Sequence, residues 1–108
     1  MSTLIETDAA AGLAALGSPV RLRLFRLLVR AGEAGANVTD LVRLMEIPAS
    51  TLTHHLTALS RAGLVHQARR GREVICTADY QRVNALAAYL TESCCVGLEL
   101  GCGSQTAA

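Results

Sequence analysis

Three of the four cysteines, Cys94, Cys95 and Cys102, fall within nine residues of one another in the run Thr91-Glu92-Ser93-Cys94-Cys95-Val96-Gly97-Leu98-Glu99-Leu100-Gly101-Cys102. Three thiols so close together suit a soft metal or metalloid ion, because thiolate sulfur is a soft ligand. Structural disulfides are rare in reducing compartments, so ligation or redox sensing is the better reading of such a cluster. Neighbouring cysteines also make a poor disulfide, since bridging them closes a strained ring. Gly97, Gly101 and Gly103 leave the backbone free to fold Cys102 back toward the pair. The competing reading, incidental cysteines in a loose tail, does not account for their clustering.

The remaining chemistry-bearing residues read differently. Cys76 stands alone among Val74, Ile75 and Thr77, where a strand cysteine is expected to act as a small buried hydrophobe. His54 and His55 are adjacent on a helix, point apart and cannot chelate as an i, i+4 pair would. His66 reads as structural or phosphate-facing. The formal net charge of +1 conceals an uneven distribution: between Ile47 and Ala78 lie Arg61, Arg69, Arg70 and Arg72, three histidines and one acid, Glu73. An anionic partner is expected along that stretch.

The elements that must position these groups follow from local signals. A chain of 108 residues supports one domain, residues 1–108, with a modest core. Its apolar content is mostly Leu, Val and Ala, which suits closely packed helices, and the surplus apolar surface points to a second copy. A first helix carries Ile5, Ala9, Leu13 and Leu16 on one face and stops near Gly17. Ser18-Pro19 starts the second, since serine caps free amides and proline tolerates the first helical position. That helix runs to about Ala31 and should be the central one. Ala31 to Ala36 reads as a loop, and Asn37 with Asp40 caps a third helix bearing Val38, Leu41, Val42 and Met45. A fourth helix spans about Ala49 to Ala62, with Leu52, Leu56 and Leu59 inward and Gly63 as its stop.

Beyond Gly63, Leu64–Ala68 and Glu73–Thr77 are β-prone and joined by Arg69-Arg70-Gly71-Arg72, a hairpin with a basic tip. The last helix begins near Asp79, carries Val83, Leu86, Ala87 and Leu90, and is expected to deliver Cys94 and Cys95 in its final turn. Gly101 to Ala108 reads as loosely ordered unless Cys102 is tied down. The first residues lack a basic n-region, and the run Val20 to Val29 is too short and too charged to span a bilayer. The expectation is a cytoplasmic protein without membrane contact.

Two short helices with a tight turn and a basic hairpin form a winged helix-turn-helix, mainly α, with five helices and a two-stranded wing. On the second helix of the pair, Ser50, Thr51, Thr53, His54 and Thr57 face away from the leucines. Hydroxyls and imidazoles can meet base edges or phosphates, and Arg69, Arg70 and Arg72 can meet phosphates or a narrow minor groove. Singly, each feature would fit a solvated helix face or an ordinary polar turn. Their order and spacing favour binding to double-stranded DNA.

The stretch Leu16-Gly17-Ser18-Pro19-Val20-Arg21-Leu22-Arg23-Leu24 resembles the opening of the ArsR/SmtB repressors. The run Ser50-Thr51-Leu52-Thr53-His54-His55-Leu56-Thr57-Ala58-Leu59-Ser60-Arg61-Ala62-Gly63-Leu64-Val65 is similar to their recognition helix and entry to the wing. The resemblance covers about Leu13 to Leu90. It implies a homodimer built on the first and last helices, a near-palindromic operator, and release from DNA on binding an inducer. It also allows the inducer sites of the family to be checked one by one. The Cys-x-Cys arrangement of the helix before the turn is missing from Val38-Thr39-Asp40-Leu41-Val42-Arg43. A zinc site on the last helix needs histidine, and none lies between Asp79 and Glu92. With no cysteine before Cys76, a site bridging to the first helix is disfavoured.

What remains is Cys94, Cys95 and Cys102, similar to the arsenite site of members whose ligands lie at the end of the last helix. Six residues separate Cys95 from Cys102, one more than that pattern implies. The resemblance therefore implies an As(III)-responsive repressor, with antimonite, cadmium or a methylated arsenical as other soft effectors. Two rivals stand beside it. One keeps the fold and makes the thiols a redox or persulfide sensor through a bond between Cys102 and one of the pair. The other is a thiol enzyme or metal carrier that binds no DNA; only Glu92 and Glu99 lie near the triad as acids or histidines, and the hydroxyl-rich helix would go unexplained. The repressor reading is preferred, and with it no enzymatic activity is expected.

Overall fold

The computed structural model describes residues 4–98. Five helices, α1 (Glu6–Leu16), α2 (Pro19–Ala31), α3 (Val38–Met45), α4 (Ala49–Arg61) and α5 (Tyr80–Thr91), surround three strands, β1 (Ala36–Asn37), β2 (Val65–Arg70) and β3 (Glu73–Ala78). Three helix starts follow from capping chemistry. Ser18 Oγ accepts from the Arg21 amide, Asn37 Oδ1 from that of Asp40 and Asp79 Oδ1 from that of Arg82, each satisfying a donor the helix leaves free. α4 has only Pro48 at this position and no side-chain cap.

The core is leucine on three helices. Leu24 and Leu28 of α2, Leu41 of α3, and Leu52, Leu56 and Leu59 of α4 are fully buried with Leu64 and Cys76, and no polar side chain is buried among the described residues. Phe25 and Met45 are buried in the same cluster. α2 is central, as its position in the sequence suggests, but only one side of it is buried: Arg23, Arg26 and Arg30 form an exposed row.

The sheet has three strands in the order β1-β3-β2, where a two-stranded wing was expected. Ala36 and Asn37 pair antiparallel with Cys76 and Ile75, so the supposed loop supplies an edge strand. Two residues are too few to display an alternating pattern. Gly35 makes the pairing possible: its φ is +72°, and a Cβ there would come within 2.5 Å of the Cys76 carbonyl oxygen. β2 extends to Arg70 and pairs with β3 from Val65↔Ala78 to Arg70↔Glu73, so the first two arginines of the expected tip lie on the strand itself.

α1 packs on α5 at Gly12. Ala9, Gly12 and Ala15 are buried, and Leu86 of α5 closes over Gly12. Ile5 at the start of α1, Leu13 on α1 and Leu90 on α5 remain exposed. Among the described residues no helix is long and apolar enough to cross a membrane.

Candidate nucleic-acid interface and thiol turn

α4 turns its leucines inward, so the opposite side is polar by necessity of the 3.6-residue repeat. Ser50, Thr51, Thr53 and His54 are exposed and Thr57 is half-buried. Ser50, His54 and Thr57 share one row, and Arg61 continues it at the same spacing, exposed. Arg61, expected only as part of the basic stretch and not as one of the groove-facing residues, thus joins the candidate DNA contacts; the four- and three-residue steps from Ser50 were the available signal.

The wing carries its charge outward. Arg69, Arg70 and Arg72 are exposed around Gly71, and their side chains make no hydrogen bond or ion pair with another described residue. Two side-chain links fix β2 to its surroundings. Gln67 Nε2 donates to Ser60 Oγ of α4 at 2.9 Å, and His66 Nε2 lies 2.7 Å from Asp79 Oδ2. Burial by itself would raise the Asp79 pKa, but the Arg82 amide and His66 outweigh it and hold the carboxyl below its usual range. Behind the strand, Cys76 is fully buried, and burial pushes its thiol up to about 11. It stays protonated and inert.

The two histidines of α4 divide as their spacing requires. His54 is exposed, whereas His55 is half-buried and its Nδ1 lies 3.4 Å from Arg21 Nη1 of α2. Burial, then the Arg21 charge, then His54 lower the His55 pKa. This contact was not foreseen, because it joins residues 34 apart in sequence.

The cysteine pair lies outside the last helix. α5 ends at Thr91, and Cys94 and Cys95 occupy the exposed turn that follows, not its final helical turn. Ser93 and Cys95 take left-handed conformations, with φ of 63° and 69°. Adjacent residues on a helix would point their sulfurs about 100° apart. In the turn the two Sγ atoms come to 3.0 Å, and this contact raises the Cys94 pKa. Cys102 lies outside the described residues. Among the described residues no three His, Cys, Asp or Glu side chains gather as a metal site.

A family model described as a helix-turn-helix domain matches residues 16–68. None of the curated proteins matches the chain. Among solved structures, a possible transcriptional regulator for arsenical resistance is 32% identical, with TM-score 0.65 over 73% of this chain and 79% of that one. An ArsR-like transcriptional regulator from Rhodococcus sp. RHA1 is 27% identical, with TM-score 0.69 over 78% and 76%. A homodimeric winged helix-turn-helix DNA-binding domain from Mycobacterium bovis, a possible ArsR-family regulator, shares the fold at 19% identity, with TM-score 0.65 over 84% and 88%. The motif residues, the winged architecture and these relatives agree, and the chain belongs to the ArsR family of winged helix-turn-helix transcriptional regulators.

Proposed function

We propose that this regulator is an arsenite-responsive repressor that binds operator DNA as a homodimer and is released when As(III) takes up Cys94, Cys95 and Cys102. The observation that carries the ligand is the 3.0 Å approach of two exposed thiols immediately after α5. It is supported by the 32% identity to a possible regulator of arsenical resistance. Two converging sulfurs fit a soft ion, and Cys102 is the third donor the sequence provides. Bound As(III) would contribute bonds to sulfur; the chain contributes the thiolates and gives up their protons, so binding weakens as pH falls.

The exposed residues Ile5, Leu13 and Leu90 form the surface for a second copy, in keeping with the homodimeric relative. Leu90 is four residues from Cys94, so drawing the thiols together acts on the helix that also meets the partner. A dimer geometry less suited to successive major grooves then follows, with a coupling of about 1–3 kcal/mol. Ser50, Thr51, Thr53, His54 and Thr57 enter the groove, and Arg69, Arg70 and Arg72 hold the flanking phosphates.

The same thiol contact supports a second reading in which oxidation replaces the ion. Fluorescence anisotropy of the reduced protein on duplex from its own promoter, titrated with arsenite, cadmium and zinc, separates the two. Release by arsenite, abolished in Cys95→Ser, is the expected result. Tight DNA binding indifferent to all three ions would transfer the thiols to redox sensing.

A further inference from the structure

Arg21 joins three helices through one guanidinium. Its Nε donates to the Ala15 carbonyl at 2.8 Å, and its Nη1 reaches Nδ1 of His55 at 3.4 Å. The Ala15 carbonyl belongs to the last turn of α1, where helical carbonyls lack intrahelical donors and no basic residue of α1 itself is present. The Arg21 amide is in turn anchored on Ser18 Oγ, which fixes the start of α2 beneath the side chain. α4 has no side-chain cap of its own, so its placement depends on its leucine face and on polar ties from outside.

We propose that Arg21 and an imidazole of His55 unprotonated at Nδ1 form a latch that positions the recognition helix for operator binding. The proposal rests on α4 reading DNA and is independent of the thiol chemistry. Arginine has donors and no acceptor, so the contact exists only while His55 Nδ1 keeps its lone pair. The ring proton of neutral His55 is therefore on Nε2. Protonation at Nδ1 removes the acceptor and places an imidazolium against the Arg21 guanidinium.

The groups acting on the charge of His55 are Arg21 from α2 and His54 from α4, both of which oppose protonation, as does burial. On the other elements packed against α4, Asp40 and Arg43 of α3 pair with each other, and His66 of β2 pairs with Asp79. The acids of α1, Glu6 and Asp8, lie in its first turn, at the end of the helix away from Ala15. With burial and the Arg21 charge holding the folded pKa below the ordinary value of 6.5, the latch is intact at neutral pH and opens only as pH falls through that lowered pKa.

Operator affinity measured by anisotropy between pH 5 and 8 tests this at constant salt. Added positive charge ordinarily strengthens phosphate binding as pH falls, so a latch is recognised by the opposite trend. The expected parent profile loses about tenfold in affinity on acidification, the scale of one hydrogen bond to a charged group. His55→Gln keeps an acceptor that does not titrate; it should bind as the parent does at pH 8 and lose the acid-side fall. Arg21→Met should weaken binding about tenfold at pH 8. Nitrogen-15 spectra of the free protein supply a second readout, with the Nε2–H tautomer of His55 expected in the parent. An Nδ1–H tautomer, or a His55→Gln profile that follows the parent through the acid range, would overturn the latch. Parent protein that binds no operator at any pH would remove the DNA reading and the latch together.

Discussion

α4, the proposed recognition helix, and the cysteine turn are both offered to solvent, but they are supported in opposite ways. α4 exposes Ser50, Thr51, Thr53 and His54 from a helix whose other side is held by Leu52, Leu56 and Leu59, each essentially inaccessible. The turn from Glu92 to Leu98 has no buried residue, and Val96 and Leu98 are 74% and 72% exposed. A DNA-reading surface must be preorganised, because its groups have to match a duplex of fixed geometry. A thiol site can be assembled by its ligand, whose bonds to sulfur are strong enough to order a turn. Cysteines placed on α4 would be well fixed and poorly able to converge; those in the turn already touch at 3.0 Å.

Stability is where this contrast is widest. Leu56→Ala empties a site in the centre of the core and should destabilise the domain by about 2–5 kcal/mol. Denaturant unfolding should place the variant several tenths of the parent's total stability lower, with DNA binding lost as α4 loosens. Cys95→Ser changes a side chain that nothing covers and should leave unfolding within about 0.5 kcal/mol of the parent. A Cys95→Ser variant as destabilised as Leu56→Ala would mean that the turn is part of the core and that the contrast is mistaken.

The wing sharpens the comparison at an intermediate scale, since its scaffold is rigid and its arginines are free. Replacing Arg69, Arg70 and Arg72 together by alanine removes three unpaired charges without touching a buried residue. If all three meet phosphates, the slope of log affinity against log salt should become shallower by about 2.7, at about 0.9 per contact. Thermal unfolding should hardly change. An unaltered salt slope would put the wing off the DNA and leave α4 to bind alone.

Local chemistry made most of this fold legible. Ser18-Pro19, Asn37 and Asp79 mark helix starts because a cap acts over three residues, and the leucine spacing of α4 identifies both its buried and its offered face. The distant pairings were not legible. β1 is two residues whose only signature is its partner strand, and Arg21 meets His55 across 34 positions. The end of α5 escaped for another reason. Left-handed turns are usually announced by glycine or asparagine, and here Ser93 and Cys95 adopt them without any such mark. The cysteine cluster was therefore visible as chemistry before its geometry could be. Convergence of the sulfurs depends on leaving the helix, which the periodicity of the preceding residues does not foretell.

The smallest predicted loss lies at Asp79, where the wing meets α5. Its carboxylate caps the helix through the Arg82 amide and pairs with His66, and the result is a depressed pKa. A carboxyl with a folded pKa below its unfolded value of 3.8 contributes stability that is complete above that value and is lost as pH falls through the folded pKa. Asp79→Ala should thus destabilise by about 1 kcal/mol at neutral pH, the scale of a helix cap. Only the part of that difference that depends on the charge should fade as pH falls through the folded pKa, because the neutral carboxyl can still accept from the Arg82 amide. Asp79→Asn keeps the cap but not the charge. Because the His66 side chain is 66% exposed, the ion pair itself should add little, and Asn should recover most of the loss. If urea titrations across this range find Asn no better than Ala, the charge pairing with His66, not the cap, holds the wing to α5.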